Sequence, residues 1–399
     1  MKFSTKVKTL LYSMEVSHGI RRALMATLGI IYFLSFGFNI VSITTLFAVS
    51  TIIMTFFEFP TGAIADYDSR KKSMMISYFL MSLAFFGLFI FKNFWFLAGS
   101  WILGDIAWTF FSGCSSAWSI DALRIGKQKS KIVSLISKSY IFEKGGHIIG
   151  GLAGLILISI NFSFIWLFVS ISQMFMFFVV WKYMEERNFK PEKVQCNYLK
   201  KSLIKAKESF SFILHKKNRE LRVLMLGDFV GILAQSAFFV GMPLLFVQIL
   251  GLNPESLSGI ITIIAGITIL SPLIAEKIAN TKGIKYSLVL FVFLESLFVF
   301  GFSLSNSVIF AIILLALLNI TLEILSVVGD SAYHHEFDSK IRASLGSISN
   351  VIWAIGNAIS VFLAGLSVYF FGVVPTLIIC GILVLVEALI YLFGLKNKD

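Results

Sequence analysis

Charge is scarce in this 399-residue chain. Asp, Glu, Lys and Arg make up 14% of it, where soluble domains carry about a quarter. A water-facing globular domain is thereby excluded. Cysteine is scarce and scattered: Cys114, Cys196 and Cys380 have no metal-ligand spacing, and an odd, dispersed set is no disulfide framework. Two of them fall in apolar runs and read as inert core residues. Proline occurs six times, which leaves long stretches free to be helical. A Gly-x-x-x-x-Gly-Lys-Ser/Thr loop is missing, which argues against ATP-driven transport. No cluster of metal ligands and no nucleophile beside a base stands out, so an enzyme is a remote reading and no cofactor is expected. His334 and His335 are adjacent, which suits a solvated turn better than a metal site. No small-residue cleavage site follows the first basic stretch, so no removable signal peptide is expected. The alternating ten-residue segments of an outer-membrane barrel are also missing.

What remains is apolar. Hydrophobic residues make up 57% of the chain, in runs near the twenty residues that a helical membrane span requires. The pattern predicts an all-α integral membrane protein of twelve spans. These run near 22–38, 43–64, 73–91, 94–118, 133–158, 162–181, 223–248, 257–276, 285–304, 307–329, 343–370 and 373–394. The Lys and Arg residues then sort to one side. The N-terminal arm holds Lys2, Lys6, Lys8, Arg21 and Arg22, and Arg70, Lys71 and Lys72 lie between spans 2 and 3. More follow around the 4–5 connection, in the middle segment and at the end of the chain. The opposite side has Lys92 alone. Positive residues are retained in the cytoplasm, so both termini are expected there, in a cell (inner or plasma) membrane. The arm is basic and amphipathic, and is expected to lie on the inner membrane surface before the first span. The net charge of +12 is a topology signal with some attraction to anionic lipid. The bilayer is the expected partner, and nucleic acid is not.

The longest polar segment, residues 184–222, separates an N-terminal six-helix bundle, 1–183, from a C-terminal one, 223–399. Its Leu199, Leu203, Phe210, Ile213 and Leu214 form an apolar stripe, so part of it is expected to be an interfacial amphipathic helix. The halves repeat one another. Asp121 precedes Ser130-Lys131-Ile132 by nine residues, and Asp330 precedes Ser339-Lys340-Ile341 by the same interval. Gly146 and Ala153-Gly154-Leu155 match Gly356 and Ala364-Gly365-Leu366. Ala65-Asp66 followed by Arg70-Lys71-Lys72 corresponds to Ala279-Asn280 followed by Lys282 and Lys285. A near-constant offset across three loops points to a duplicated bundle, a mark of transporters.

Gly62-Ala63-Ile64-Ala65-Asp66-Tyr67-Asp68-Ser69-Arg70-Lys71 resembles the loop signature Gly-x-Leu-Ala-Asp-Arg-x-Gly-Arg-Arg/Lys of the major facilitator superfamily of secondary transporters. Gly62, Asp66, Arg70 and Lys71 match, whereas Tyr67 and Ser69 depart from the family's Arg and Gly. Arg342-Ala343-Ser344 and Asn218-Arg219-Glu220-Leu221-Arg222 resemble its leads into spans 11 and 7. The resemblance implies alternating access about a central cavity, with two six-helix bundles related by a pseudo-two-fold axis. Spans 1, 4, 7 and 10 would line the cavity, spans 2, 5, 8 and 11 would form gates, and the rest would be peripheral. It also implies that the loop after span 2 is a cytoplasmic latch. Gly62 would let helices approach closely, and Asp66 would pair with Arg70 or meet a helix N-terminus. A bare stop-transfer charge cluster is the alternative. Asp121 with Arg124 and Asp330 with Arg342 read as gate contacts in the two halves, with Glu58 nearby.

Polar residues inside spans are costly and invite a functional reading. Span 10 carries Asn319, Glu323, Ser326 and Asp330 on one face, and span 4 carries Trp101, Asp105, Trp108, Ser112 and Ser116 at similar spacing. Span 7 adds Asp228 and Gln235, and span 1 adds Tyr32 and Asn39. Trp353 and Asn357 sit on span 11. Asp105, near the middle of its span, is the first candidate to carry a proton as its surroundings alternate, and Glu323, Glu143 and Asp228 are the others. An acid satisfied by a neighbouring Trp or Ser is the alternative for Asp105. Glu143 and His147, one turn apart on span 5, would bind solute or relay protons, or simply stabilise their helix. Gly146, Gly150 and Gly154 form a small-residue face for close packing. Span 5 has no proline, unlike many drug antiporters of the superfamily. Glu295 and Glu387 fall on peripheral spans, as a structural pair or as acids beside lipid. The tryptophans favour amphipathic or aromatic solutes over small sugars. The leading reading is therefore a monomeric secondary transporter that exports a hydrophobic or amphipathic small molecule in exchange for protons. A proton-coupled importer of the same fold is the alternative.

Overall fold

A computed structural model describes residues 3–112, 114–123, 129–186, 218–269, 271, 284–336 and 342–395. At Asp66, Tyr67, Ser116, Asp330, His334, His335 and Arg342 it describes the backbone alone. The expected amphipathic helix of the middle segment lies for the most part outside these residues, as do Arg124, Cys196 and the loop copy at Ala279, Asn280 and Lys282.

Among the described residues the chain is all-α, with thirteen α-helices. The first seven are α1 (Phe3–Ser35), α2 (Ile40–Tyr67), α3 (Arg70–Ile90), α4 (Phe94–Thr109), α5 (Cys114–Leu123), α6 (Lys129–Ile160) and α7 (Phe164–Tyr183). Then come α8 (Arg219–Leu244), prolonged by a π-helical turn (Leu245–Ile249), and α9 (Pro254–Thr268). The last four are α10 (Ile284–Ser303), α11 (Val308–Glu336), α12 (Arg342–Phe371) and α13 (Val373–Gly394). Each of the twelve expected spans contains helix. Among the described residues, 9 helices are long and apolar enough to cross a membrane. The three remaining spans are not among these nine. Helix α1 carries Glu15, His18, Arg21 and Arg22 along its length. Span 4 breaks after Thr109 into α4 and α5, and the described part of span 8 that forms α9 has 15 residues, most of the span beyond it lying outside the described residues.

The N-terminal arm departs from expectation. It continues the first membrane helix without a break, and Val7, Leu10, Leu11 and Met14 are buried. Their spacing of three and four puts them on one face, which packs against the bundle: Leu11 meets Leu135, and Tyr12 stacks on Phe142 with centroids 4.4 Å apart. An apolar stripe that finds a protein partner has no need of the membrane surface.

Two turns show the repeat in backbone geometry. Gly37, between α1 and α2, has φ of 78°, and Gly251, between α8 and α9, has φ of 69°. Such angles favour glycine. These two positions are 214 apart in sequence, close to the offset seen in the loops.

By contact the chain divides into two compact units. The first comprises Met1–Asn39, Val49–Val194 and Asn253–Ile269. Its central seam joins α1 to α6. A Cβ on Gly19 would collide with the Glu143 carbonyl, and one on Gly146 would lie against the Val16 carbonyl and 2.9 Å from the Gly19 Cα. Gly150 faces the Ile20 carbonyl. The small-residue face of α6 thus packs on α1, while Gly151 and Gly154 receive α9. There the Ser258 hydroxyl donates to the Gly151 carbonyl at 2.8 Å. The second unit comprises Ile40–Ala48, Gln195–Leu252 and Leu270–Asp399. Its core gathers Leu224, Val292, Ile324, Val384 and Tyr391 from α8, α10, α11 and α13. The start of α2 belongs to it, with the Thr44 side chain filling the space beside Gly365. Cys114 and Cys380 are buried free thiols, as their apolar surroundings imply.

Candidate functional site

In the first unit, α1, α2, α3, α4 and α6 bring their polar side chains together. Asp105 accepts a hydrogen bond from the Ser50 hydroxyl at 2.5 Å, and Arg21 lies within electrostatic reach of it. Arg21 is buried against Trp108, with its guanidinium 4.7 Å from the ring centroid. His18 stacks on the same indole at 4.4 Å. Glu143, also buried, takes an ion pair from Arg22 at 2.9 Å, and the Nε2 atoms of His18 and His147 stand 3.6 and 3.8 Å from the same carboxylate oxygen. The Gly19–Gly146 contact makes this possible, because only backbones in direct contact bring Glu143 within reach of α1. Of the sequence candidates, Asp105, Trp108, Glu143 and His147 are therefore neighbours of one network. His18, Arg21, Arg22, Ser50 and Tyr78 complete it and are not among those candidates.

The second unit holds a different arrangement. Asp228 on α8 accepts hydrogen bonds from the hydroxyls of Tyr333 and Tyr391. Glu295 and Glu387, on α10 and α13, are 2% and 7% exposed, which rules out contact with lipid in favour of burial inside the unit. Gln235 donates to Glu295 at 3.5 Å. Glu387 fills the space beside Gly231, where a Cβ would meet its carboxylate. The offset that relates Gly37 to Gly251 also relates Arg21 to Gln235 and Asp105 to Asn319. Arg21 and Asp105 of the first half thus have uncharged counterparts in the second, where Asn319 bonds to its own helix through the Leu315 carbonyl at 2.8 Å.

The charged patch between α2 and α3 is joined by Glu185 and Glu186, which sequence reasoning passes over. Arg70 pairs with Asp121 at 2.6 Å. Ser69, which replaces the family's glycine, is the N-cap of α3: it accepts from the Lys72 amide at 3.1 Å and donates to Glu186 at 2.5 Å. Glu186 also accepts from the Lys71 amide at 3.1 Å. A carboxylate is favoured at a helix N-terminus, so Glu186 ties the end of α7 to the start of α3. Lys6 and Glu185 add an ion pair at 2.6 Å. Ser69→Ala should therefore lower stability by about 1 kcal/mol, read as a lower thermal midpoint of the purified protein. An unchanged midpoint would show that the cap contributes nothing. Among the described residues, no atom stands within 4 Å of where a Cβ on Gly62 would be. The side chains of Asp66, Asp330 and Arg342, and Arg124 as a whole, lie outside the described residues.

Other candidates scatter. Tyr32 is fully buried and donates to the Leu88 carbonyl at 2.6 Å, inside a cage of Phe33, Phe36, Phe162 and Trp166. It anchors α1 to α3 instead of facing a solute. Trp101 is likewise buried, against Phe33 and beneath Gly29. Asn39 stands in the turn before α2, and Ser112 in the break between α4 and α5, both exposed. Glu58, Glu323 and Asn357 are half-buried, and Trp353 is exposed.

Arg21 and Arg22 count as topology charges in the sequence because they end a basic arm. A usable signal is nevertheless present. Glu15, His18, Arg21 and Arg22 recur at three- and four-residue spacing within an apolar run, which marks a polar face on one helix.

The model of the family described as the Major Facilitator Superfamily matches residues 13–332. An uncharacterized MFS-type transporter, YxaM, of Bacillus subtilis (strain 168) is 25% identical over 403 residues, covering 98% of this chain and 96% of its own. Among solved structures, a point mutant of the nucleoside transporter NupG superposes with a TM-score of 0.81 at 15% identity, over 99% of this chain and 100% of that one. A POT family transporter in complex with a thioalcohol-conjugated peptide gives 0.76 at 16% identity, over 98% and 95%. A D-xylose–proton symporter gives 0.70 at 13% identity, over 99% and 98%. At these identities the structures speak to fold.

Proposed function

The chain belongs to the Major Facilitator Superfamily, and on that premise we propose that it moves an amphipathic organic solute across the cell membrane by alternating access, coupled to protons. It is a multi-pass membrane protein, and we place both termini in the cytoplasm on the distribution of Lys and Arg. We take the working unit to be a monomer. The observation that carries proton coupling is Asp105, a carboxyl group in the interior of α4 that accepts its hydrogen bond from a neutral hydroxyl. An acid so placed can hold a proton in a dry state and release it when water reaches it. Arg21 nearby supplies a cation that stabilises the ionised form. Trp108, Phe111 and the His18 ring offer an aromatic wall, which supports a solute with an apolar body.

Export in exchange for protons is the direction we favour, on the likeness of Phe57-Glu58-Phe59-Pro60-Thr61-Gly62-Ala63-Ile64-Ala65-Asp66 and the middle segment to efflux members. Import with protons is the second reading. It draws support from the Arg21–Asp105 neighbourhood, where protonation of Asp105 leaves the cation to receive an anionic solute. The test is direct. Purified protein is screened by thermal shift at two pH values against drugs, sugars, peptides and organic acids. Compounds that raise the midpoint are then given to proteoliposomes holding a pH-sensitive dye. Solute-dependent proton movement is expected, and its sign assigns the direction. If stabilising compounds cross the membrane with no proton movement, coupling to protons is wrong.

A further inference from the structure

Arg21 is 7% exposed, yet it has no carboxylate within ion-pair distance among the described residues. Its Nη1 reaches the Met25 sulfur at 3.4 Å, its Nη2 contacts His18 Nδ1 at 3.1 Å, and its Nε–H has no acceptor. A thioether and an imidazole are weak compensation for a buried guanidinium. Because Nη2 can only donate, His18 Nδ1 is the acceptor, and the imidazole proton sits on Nε2, toward Glu143. Asp105 acts on Arg21 electrostatically, but it accepts its hydrogen bond from Ser50. Glu143 is engaged with Arg22. Tyr78, on α3, is a second anomaly. Its hydroxyl is buried without a partner among the described residues, and it lies within electrostatic reach of Arg21 and Glu15.

Helices α1 and α3 thus each carry a buried donor without an acceptor among the described residues, and the two side chains lie within electrostatic reach of each other. Trp108 and Phe111 wall the same place, with ring centroids 5.2 Å apart, and the Phe111 ring meets Tyr78 at 5.7 Å. A carboxylate has two oxygens that suit such donors, and a bond to Arg is strengthened by charge on both sides. Apolar rings beside it would cover a hydrophobic tail.

We propose that Arg21 and Tyr78 form an anion subsite that binds the carboxylate of an amphipathic organic acid. This rests on the transporter reading and narrows its solute class. The test compares three probes of matched shape on the purified full chain in a neutral detergent: 3-phenylpropionate, 3-phenylpropan-1-ol and 3-phenylpropylammonium, each at the same millimolar concentration. The carboxylate alone should raise the thermal midpoint and give heat by titration calorimetry. Arg21→Gln should weaken its affinity by about tenfold or more, and Tyr78→Phe by a smaller factor. Tyr78→Phe preserves shape, so it keeps the test alive if Arg21→Gln does not fold. Equal shifts from alcohol and acid, no binding of the acid, or unchanged affinity in Tyr78→Phe together with any foldable Arg21 variant would overturn the proposal. The proteoliposome assay separates this failure from that of the wider reading. Proton movement evoked only by non-acidic compounds removes the anion subsite and leaves proton-coupled transport standing. Binding of 3-phenylpropionate that depends on Arg21, in liposomes showing no solute-linked proton movement, does the reverse.

Discussion

Asp105→Asn should reduce pH-gradient-driven transport to background while leaving a folded protein that still binds its solute. The substitution is close to isosteric. The carboxamide oxygen still accepts from the Ser50 hydroxyl, whose bond to Asp105 is 2.5 Å long, so the contact between α2 and α4 survives. What disappears is the group that takes up and gives up a proton. A fixed neutral side chain imitates the protonated state on both sides of the membrane, so the gradient has nothing to act on. Exchange of labelled for unlabelled solute, which needs no net proton movement, should persist. The same change removes a negative charge near Arg21 and should tighten binding of 3-phenylpropionate. Asp228→Asn is the informative contrast. Asp228 is held by the hydroxyls of Tyr333 and Tyr391, so its replacement should lower the thermal midpoint more than it changes coupling. Wild-type gradient-driven rates in Asp105→Asn would take the proton-carrying role away from Asp105.

Much of the machine is legible in the sequence because membrane physics is written in composition. Runs of apolar residues specify helices in a solvent that satisfies no backbone group, and the constant offset between halves exposes the duplication. The site reads unevenly. Asp105 and Glu143 stand out because an acid in an apolar run has no ordinary explanation. Arg21 and Arg22 do not, because an arginine at the edge of a basic arm has an ordinary explanation in topology. The continuous helix α1 overturns that explanation by carrying both residues to α4 and α6. Tyr32 and Trp101 fail in the other direction. A polar-tipped aromatic in a span looks like a solute contact, yet each is also a large apolar body that fills a core. Which role it takes depends on the neighbouring helix, and no spacing rule names that neighbour. Ser69 reads as a loss against the family glycine, whereas a serine at that position gives α3 an N-cap. Pairings across long sequence separations, such as Ser69 with Glu186 or Arg22 with Glu143, have no local signature at all.

The seam between α1 and α6 makes the most severe structural prediction. Gly146→Val should abolish the accumulation of folded protein. Its Cβ would fall against the Val16 carbonyl and within 3.0 Å of the Ile20 amide nitrogen. These are backbone atoms of a helix, so no side chain can rotate away to make room. Adding methylenes to a packed core costs roughly 1–3 kcal/mol when neighbours can shift, and here the helices themselves must separate. Separation also withdraws Glu143 from Arg22, now 2.9 Å apart, and leaves a buried carboxylate without its cation, a change that is strongly destabilising by itself. Gly145→Val is the control, because a Cβ at Gly145 meets open space and should leave yield and thermal midpoint near the wild type. The readout is the monodisperse fraction in size-exclusion chromatography together with the thermal midpoint. Gly146→Ala, with one methyl group, should give an intermediate midpoint. If Gly146→Val and Gly145→Val behaved alike, direct backbone contact would not be what seats Glu143 beside α1, and the charge network in the first unit would need another support.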